Sequence, residues 1–337
     1  MSLLSNFQKS LKDHHLISKG DTVLIGVSGG SDSMGLLKAF CLVRNEWGLR
    51  LAAAHINHQL RKSSDRDERF VSDYCQKNSI PLVKKTVSID LESRSDSIEQ
   101  KARDKRLKAL FEIARKKHAA ALALAHHQDD LAETVLMRVI RGSGLAGLQA
   151  MTPKRDFKEA RVIRPFLAVS KEEILAFCKE HKVPFRTDPT NRSKKFLRNR
   201  IRQELLPLLK AYNPQITKSL AVLAENSAED YDLLRSEGLK HFKNCIKRSG
   251  NPKTVMLQID KLRKLHPALQ KMVLRSAIEE LKGDLRRFEQ KHILSLQKML
   301  LFKGELPEHI LALPCSISAQ KKNGSIVLSI GRKGAGP

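Results

Sequence analysis

Residues 27–33 read Val-Ser-Gly-Gly-Ser-Asp-Ser, after the apolar run 23–26 and before an apolar-periodic stretch at 34–43. A buried strand feeding a small-residue loop that opens a helix is the arrangement of a phosphate-binding turn. Gly29 and Gly30 let the backbone approach phosphate oxygens, and the first free N–H groups of the helix point at them with the positive end of the helix dipole behind. Ser28, Ser31 and Ser33 add hydroxyl donors. Asp32 repels phosphates unless a cation lies between, which marks it as a Mg²⁺ ligand, directly or through water. No Lys follows the glycines, so the loop is not a Walker A sequence.

A second constellation is Ala125-His126-His127-Gln128-Asp129-Asp130-Leu131-Ala132-Glu133-Thr134. With a helix beginning near Gln128, Asp129, Asp130, Glu133 and Thr134 share one face at spacings of three and four. Such a carboxylate cluster binds a cation, either Mg²⁺ on a nucleotide or the ammonium group of a small substrate. Capping of a helix N-terminus by acids is the plainer alternative, but it needs only one or two of them. His55 and His58 leave a second apolar run, where a loop supports the adenine or ribose of a nucleotide; zinc ligation would need a third ligand that the neighbouring sequence lacks. Glu99, Arg103 and Arg106 fall on one helical face, either as a surface ion pair with an extra cation or as guanidiniums that stabilise phosphate charge. Residues 140–148 form a small-residue turn, read equally as a helix stop or as room for a bulky substrate. Asp188 and Asn191 fix a tight turn, and Lys194, Lys195, Arg198, Arg200 and Arg202 follow it, a series suited to an RNA backbone or to substrate near the site.

Elements that position these residues follow from the apolar pattern. Strands are expected at 22–27, 49–55, 81–87, 119–125 and, more weakly, 162–163. Helices are expected from Met34, from Asp65, over 97–117 with a Ser97–Gln100 capping box, and from Ser170 to about His181 with Glu173 completing another box. Alternation of strand and helix means βαβ units: an α/β fold with a doubly wound parallel sheet, whose ligand sits beyond the strands' carboxyl ends. A basic helix is expected over 196–209, then helices at 215–242, 267–281 and 285–301 and a terminal strand at 325–330. This divides the chain into a sheet domain at 1–212, a mainly helical second domain at 213–330 and a disordered tail at 331–337.

The 337 residues carry 62 Lys+Arg against 36 Asp+Glu, a formal net charge of +26, which points to a polyanionic partner, nucleic acid first. Few aromatics are present, so the charge acts on phosphates and not through base stacking. No stretch is apolar enough to span a bilayer or serve as a signal peptide, so no membrane association is expected. Five scattered cysteines fit a reduced, cytoplasmic protein.

In this order the motifs resemble the tRNA(Ile)-lysidine synthase family: Ser-Gly-Gly-x-Asp-Ser at 28–33, His-x-x-His-x-Leu-Arg at 55–61, Glu-x-x-Ala-Arg-x-x-Arg at 99–106, Ala-His-His-x-Asp-Asp-x-Ala-Glu-Thr at 125–134, Arg-Gly-Ser-Gly-x-x-Gly-Leu at 141–148 and Asp-x-Thr-Asn at 188–191. The first motif alone is similar to the pyrophosphate loop of many ATP pyrophosphatases; the fourth and fifth together are more specific. Gln59 and Ala150 stand where the family pattern has Gly. The resemblance implies a Rossmann-like ATP pyrophosphatase domain, ATP and Mg²⁺ as cofactors, and two substrates, free lysine and tRNA(Ile) with a CAU anticodon. No protein partner is implied. The reaction implied is adenylation of the wobble cytidine at its C2 oxygen, followed by displacement of AMP by the lysine ε-amine.

On the same resemblance, Ser28, Gly29, Gly30, Ser31, Asp32 and Ser33, with His55 and Arg106, hold ATP and its metal. Asp32, Arg103, His127, Asp130 and Glu133 are the catalytic candidates. Asp129, Asp130, Glu133, Asp188, Asn191, Lys194, Lys195, Arg198 and Arg202 are expected to contact lysine or tRNA. Lysine must lose a proton from a group of pKa about 10.4 before it attacks; His127, Asp130 and Glu133 are all open as acceptors. A tRNA thiolase of the same superfamily is the alternative enzyme, but those enzymes commonly use paired cysteines. A non-catalytic ATP-binding RNA protein is the alternative outside enzymes. Longer family members carry a further C-terminal module, expected here to be missing or rudimentary.

Overall fold

The computed structural model describes residues 2–57, 64–87, 95–157, 160–187, 196–247, 250–302 and 310–331, with backbone alone for 64 and 95–100. Two compact units divide at Ala228 and Glu229.

The first unit opens with α1 (Leu3–Asp13), where Ser2 Oγ accepts the Ser5 N–H at 3.3 Å and Leu3, Phe7 and Leu11 turn inward. There follow β1 (Thr22–Gly26), α2 (Ser31–Val43), β2 (Arg50–Asn57), α3 (Ser64–Lys77), β3 (Leu82–Thr86), α4 (Ser95–Lys116), β4 (Ala121–Ala123), α5 (Gln128–Ile140), the short α6 (Leu145–Leu148), β5 (Lys154–Asp156), β6 (Arg161–Ile163) and α7 (Lys171–Glu180). The sheet runs β3-β2-β1-β4-β6-β5, parallel throughout except for β5 on the edge. Every expected strand of this sheet forms; β5, short and largely exposed, has no apolar run to announce it.

Period-two alternation explains the layers. Val23, Ile25, Leu51, Ala53, Ala121 and Ala123 enter one core with Phe7, Leu36, Phe40, Ile174 and Phe177 of α1, α2 and α7. Leu24, Ala52, Ala54, Leu122 and Val162 enter the opposite core with Leu110, Phe111, Ile113 and Ala114 of α4. From β1 the chain winds outward to β2 and β3, then crosses back to β4 on the other side of β1. The loops after β1 and β4 therefore diverge and leave a crevice between them, the switch point of a doubly wound sheet.

Beyond α7 come α8 (Leu197–Arg200), a π-helical turn (Ile201–Leu205), α9 (Leu206–Tyr212) and α10 (Ile216–Cys245). The expected continuous basic helix is thus interrupted. Pro207 has no N–H to give Gln203, and its ring crowds that carbonyl; the Leu206 N–H bonds instead to Ile201, five residues back. Leu220 and Ala224 of α10 pack with Leu131, Val135, Ile201 and Leu206 in a third core. The division into units accordingly falls inside α10, not at 212–213.

The second unit is not helical alone. Beside α11 (Ile259–Arg263), α12 (Pro267–Lys282) and α13 (Gln290–Leu301), it holds an antiparallel sheet. Its strands are β7 (Ile246–Lys247), β8 (Thr254–Gln258), β9 (Leu311–Leu313), β10 (Ile317–Lys322) and β11 (Ser325–Ile330), in the order β7-β8-β11-β10-β9. Leu257, Ala319, Ile326 and Leu328 join Val273, Ile278, Ile293 and Leu300 in one core. At Gly238 a Cβ would lie 2.4 Å from Met272 Cβ, so only glycine fits this contact. Past Gly331 the expected tail lies outside the described residues.

Candidate active site

The glycine turn is locked from within. Gly29 has φ +90°, the left-handed region that glycine alone enters without strain. Ser33 Oγ accepts the Ser28 N–H at 3.0 Å and donates to the Gly30 carbonyl at 3.1 Å, while Ser28 Oγ accepts the Gly30 N–H at 3.4 Å. Ser28 and Ser33, expected as phosphate donors, therefore fasten the loop. The Arg186 N–H braces it from outside, donating to the Gly29 carbonyl at 2.9 Å. Gly30 caps α2 without a side-chain hydrogen bond, which keeps that helix end open to an anion.

From the turn opens a cavity of about 410 Å³, lined by Ser28, Asp32 and Ser33, by Arg103, Arg106 and Arg164, and by an apolar wall that includes Ile56, Leu107, Leu124 and Phe157. His55 and His126 also line it. Buried His55 donates from Nδ1 to the Val27 carbonyl at 2.8 Å, so it holds the strand end before the loop. Arg164 is 8% exposed; it donates to the Thr152 carbonyl at 2.8 Å, and its Nε has no partner. Burial first, then repulsion from Arg155 and Arg103, lowers its pKa to about 10, which leaves it charged at neutral pH. Burial also holds His126 down at about 3, hence neutral, and its Nδ1 lacks a partner. Both residues line the cavity, while the two unpartnered nitrogens themselves are buried.

Beside the turn, the head of α5 carries the second constellation. Buried His127 lies between three carboxylates: Nε2 is 3.7 Å from Asp32 and 3.4 Å from Asp130, and Nδ1 is 3.4 Å from Asp129. The last contact is close enough for an ion pair without the alignment of a good hydrogen bond. Burial lowers the His127 pKa, but Asp129, Asp130 and Asp32 outweigh it, and the net shift is upward. Burial likewise works against ionised Asp130, yet His127 and Arg198 prevail and bring it to about 2. Asp129 is lowered against its burial by His127 and by the Lys171 N–H, which reaches its Oδ2 at 3.0 Å.

Glu133 is wholly buried, and two arginines hold it. Arg198 Nε donates to Oε2 at 2.7 Å; Arg202 Nε donates to Oε1 at 2.5 Å and its Nη2 to Oε2 at 3.1 Å. Arg198 also reaches Asp130 Oδ1 at 2.8 Å. Both arginines, expected on RNA or substrate, thus face inward and neutralise the carboxylates expected to attract lysine. The π turn before Pro207 carries Arg202 into this cluster.

Lys171 is the residue that sequence reasoning missed. Ser170 Oγ accepts the Glu173 N–H and Glu173 accepts the Ser170 N–H, a capping box that starts α7. Lys171, first in that helix, bonds through Nζ to Ser31 Oγ at 2.7 Å and to the Asp32 carboxylate. Nothing in a chain with 62 Lys+Arg distinguishes this one. Arg164 escaped notice for the same reason, and Arg186 because it acts through its backbone N–H, which residue type does not announce. Asp188, Asn191, Lys194, Lys195 and His58 lie outside the described residues. For Mg²⁺, which takes one or two carboxylates plus phosphate oxygens, Asp32 in the turn and on the cavity wall fits.

Comparison with known proteins agrees with this geometry. Residues 3–209 match a family described as the PP-loop domain, and 257–323 match the TilS substrate binding domain. A tRNA(Ile)-lysidine synthase of Clostridioides difficile is 33% identical over 95% of this chain and 69% of its own. Those of Dehalococcoides mccartyi and Geobacter sulfurreducens are each 36% identical, over 86% and 89% of this chain. This chain spans 63% and 64% of their lengths. Among solved structures, the U34-tRNA thiolase NcsA of Methanococcus maripaludis, with its [4Fe-4S] cluster, aligns with a TM-score of 0.58 at 19% identity, covering 67% of this chain and 78% of its own. That likeness is one of fold.

Proposed function

The chain belongs to the tRNA(Ile)-lysidine synthase family of PP-loop proteins, and from that premise we propose that it joins free lysine to C2 of the wobble cytidine in CAU-anticodon tRNA(Ile). The C2 oxygen of cytidine attacks the α-phosphorus of ATP and pyrophosphate leaves. The lysine ε-amine, having lost a proton, then adds at C2, and AMP departs with the oxygen. A carbon–nitrogen bond replaces the carbon–oxygen bond.

The observation that carries the reading is one crevice with a locked glycine turn at a helix N-terminus and a cavity that pairs guanidiniums with an apolar wall. The turn's N–H groups and Ser31 take the phosphates, and Arg103, Arg106 and Arg164 balance the charge that develops on the α-phosphate. The apolar wall takes the nucleoside. Asp32 would hold Mg²⁺, which would supply positive charge to offset that of the pyrophosphate. Asp129, Asp130 and Asp32 together raise the His127 pKa against its burial and favour the imidazolium, whose ring lies beside Asp32. Asp130, near 2, is a weak base, and both Glu133 oxygens are taken. Asp130 and Glu133 therefore act by fixing Arg198 and Arg202, and Asp129 bounds the lysine side.

Lys194 and Lys195 are assigned to tRNA on their charge, and Asp188 and Asn191 on the Asp-x-Thr-Asn motif they share with the family. The net charge of +26 supports a nucleic-acid partner and, with it, a cytoplasmic place of action. Among the described residues no helix is long and apolar enough to cross a membrane. The reading is tested by product release: pyrophosphate should appear only with tRNA, and AMP only when lysine is also added. AMP released equally without tRNA would refute it.

A further inference from the structure

We propose that Lys171 is a polyphosphate ligand which, before nucleotide arrives, occupies the cation seat on Asp32, so that Mg²⁺ and phosphate can enter only together. The proposal rests on the reading of the glycine turn as an ATP site.

Four observations lead there. The Lys171 Nζ touches both Ser31 Oγ and Asp32 Oδ1, at the first turn of α2. Its backbone is fixed by the α7 capping box and by Asp129, while its side chain remains 35% exposed. The other Asp32 oxygen, Oδ2, faces His127 Nε2 at 3.7 Å. An ammonium beside a helix N-terminus also sits against the positive end of the dipole.

Asp32 is therefore held by an ammonium on Oδ1 with the His127 ring facing Oδ2, and a bare Mg²⁺ meets a carboxylate already neutralised by Lys171. Ammonium against helix end is an unfavourable pairing that a phosphate relieves, because the anion satisfies both at once. When phosphate binds, Nζ needs only a rotation of its flexible stem to move from Asp32 to a phosphate oxygen. Asp32 is then free for the metal that arrives with it. Lysine, a compact charge on a mobile stem, suits an exchange of partners better than arginine's rigid fork.

The test measures binding, without turnover, on the full chain: Mn²⁺ alone by paramagnetic resonance, and ATP or inorganic pyrophosphate with Mg²⁺ by calorimetry. Wild type should bind Mn²⁺ weakly alone and strongly with nucleotide. Lys171→Met should weaken ATP and pyrophosphate binding by about tenfold or more, the loss expected for one charge-assisted hydrogen bond. The same variant should tighten Mn²⁺ alone by at least about fivefold, because a like charge beside Asp32 is gone. A purely structural lysine would not move these two affinities in opposite directions. Lys171→Arg should keep polyphosphate affinity and still resist Mn²⁺, and Lys171→Gln repeats both measurements if the Met variant fails to fold. Unchanged ATP affinity, or unchanged Mn²⁺ affinity, in the neutral variants overturns the proposal. No binding of ATP to wild type with any divalent ion overturns the nucleotide reading itself, and the proposal with it.

Discussion

Glu133→Gln is the perturbation whose size the structure sets most directly. The side chain has no exposed surface, and three hydrogen bonds of 2.5–3.1 Å tie it to Arg198 and Arg202. Glutamine keeps the shape, so no cavity confuses the result, but it removes the charge and presents an amide N–H₂ to one guanidinium. Breaking a fully buried ion pair costs about 3–5 kcal/mol. Arg198 is 18% exposed and Arg202 40% exposed, so water screens much of the second interaction and the figure must be discounted. A loss of about 2–4 kcal/mol remains. The assay is built in: Trp47, the chain's one tryptophan, packs against the core of the first unit, so its fluorescence during urea unfolding reports that unit. With a urea slope of about 2 kcal/mol per molar, the midpoint should fall by about 1–2 M. Arg198→Met should fall by a similar amount, and the double variant should lose less than the sum, because the partners form one network. A midpoint within about 0.2 M of wild type, or strict additivity, would refute the view that Glu133 is held by arginine.

Three further outcomes follow. Asp130 has a folded-state pKa near 2 against about 3.9 unfolded, so it contributes stability above pH 4 that is lost as pH falls towards 2; the stability gap between wild type and Asp130→Asn, about 2 kcal/mol at pH 5, should nearly close at pH 2, and a gap independent of pH contradicts the pairing. His127 is shifted the other way, so its contribution is full below about pH 6.5 and declines as pH rises through the folded value; its ring C–H resonances should titrate above those of a free histidine, and a midpoint below 6.5 would be evidence against the carboxylate cage. Gly238→Ala should destabilise the second unit by about 1–3 kcal/mol, since its Cβ would stand 2.4 Å from Met272 Cβ, and an unchanged unfolding profile by circular dichroism would show that the contact is loose.

What the sequence revealed, and what it concealed, divides by range. Thr22–Gly26 and Ala121–Ala123 are legible because a parallel central strand is buried on both faces and reads as an unbroken apolar run. The start of α7 is legible because a capping box is a local bond between Ser170 and Glu173. In the second unit, Thr254–Gln258 and Ile317–Lys322 each bury one face only, and polar residues on the other dilute the signal; Ser325–Ile330, more apolar, stood out. The candidate site follows the same division. Asp32, His127, Asp130 and Glu133 announce themselves by motif. Their partners do not: Arg198, read from its basic series as a contact to substrate or RNA, meets Glu133 from 65 positions away, and Lys171, which reads as ordinary surface charge in a basic chain, meets Asp32 from 139. The sequence therefore yields the acids, and only the fold tells which cations they hold.

The central claim is most directly tested by mass analysis of tRNA(Ile) with an unmodified CAU anticodon, incubated with the protein, ATP, Mg²⁺ and lysine, then digested to nucleosides. The account predicts a wobble cytidine heavier by one lysine less one water, formed only when ATP and lysine are both present and absent with Asp32→Ala. An unmodified cytidine with wild-type protein and every reactant present, or a cytidine that has gained sulfur, would contradict it.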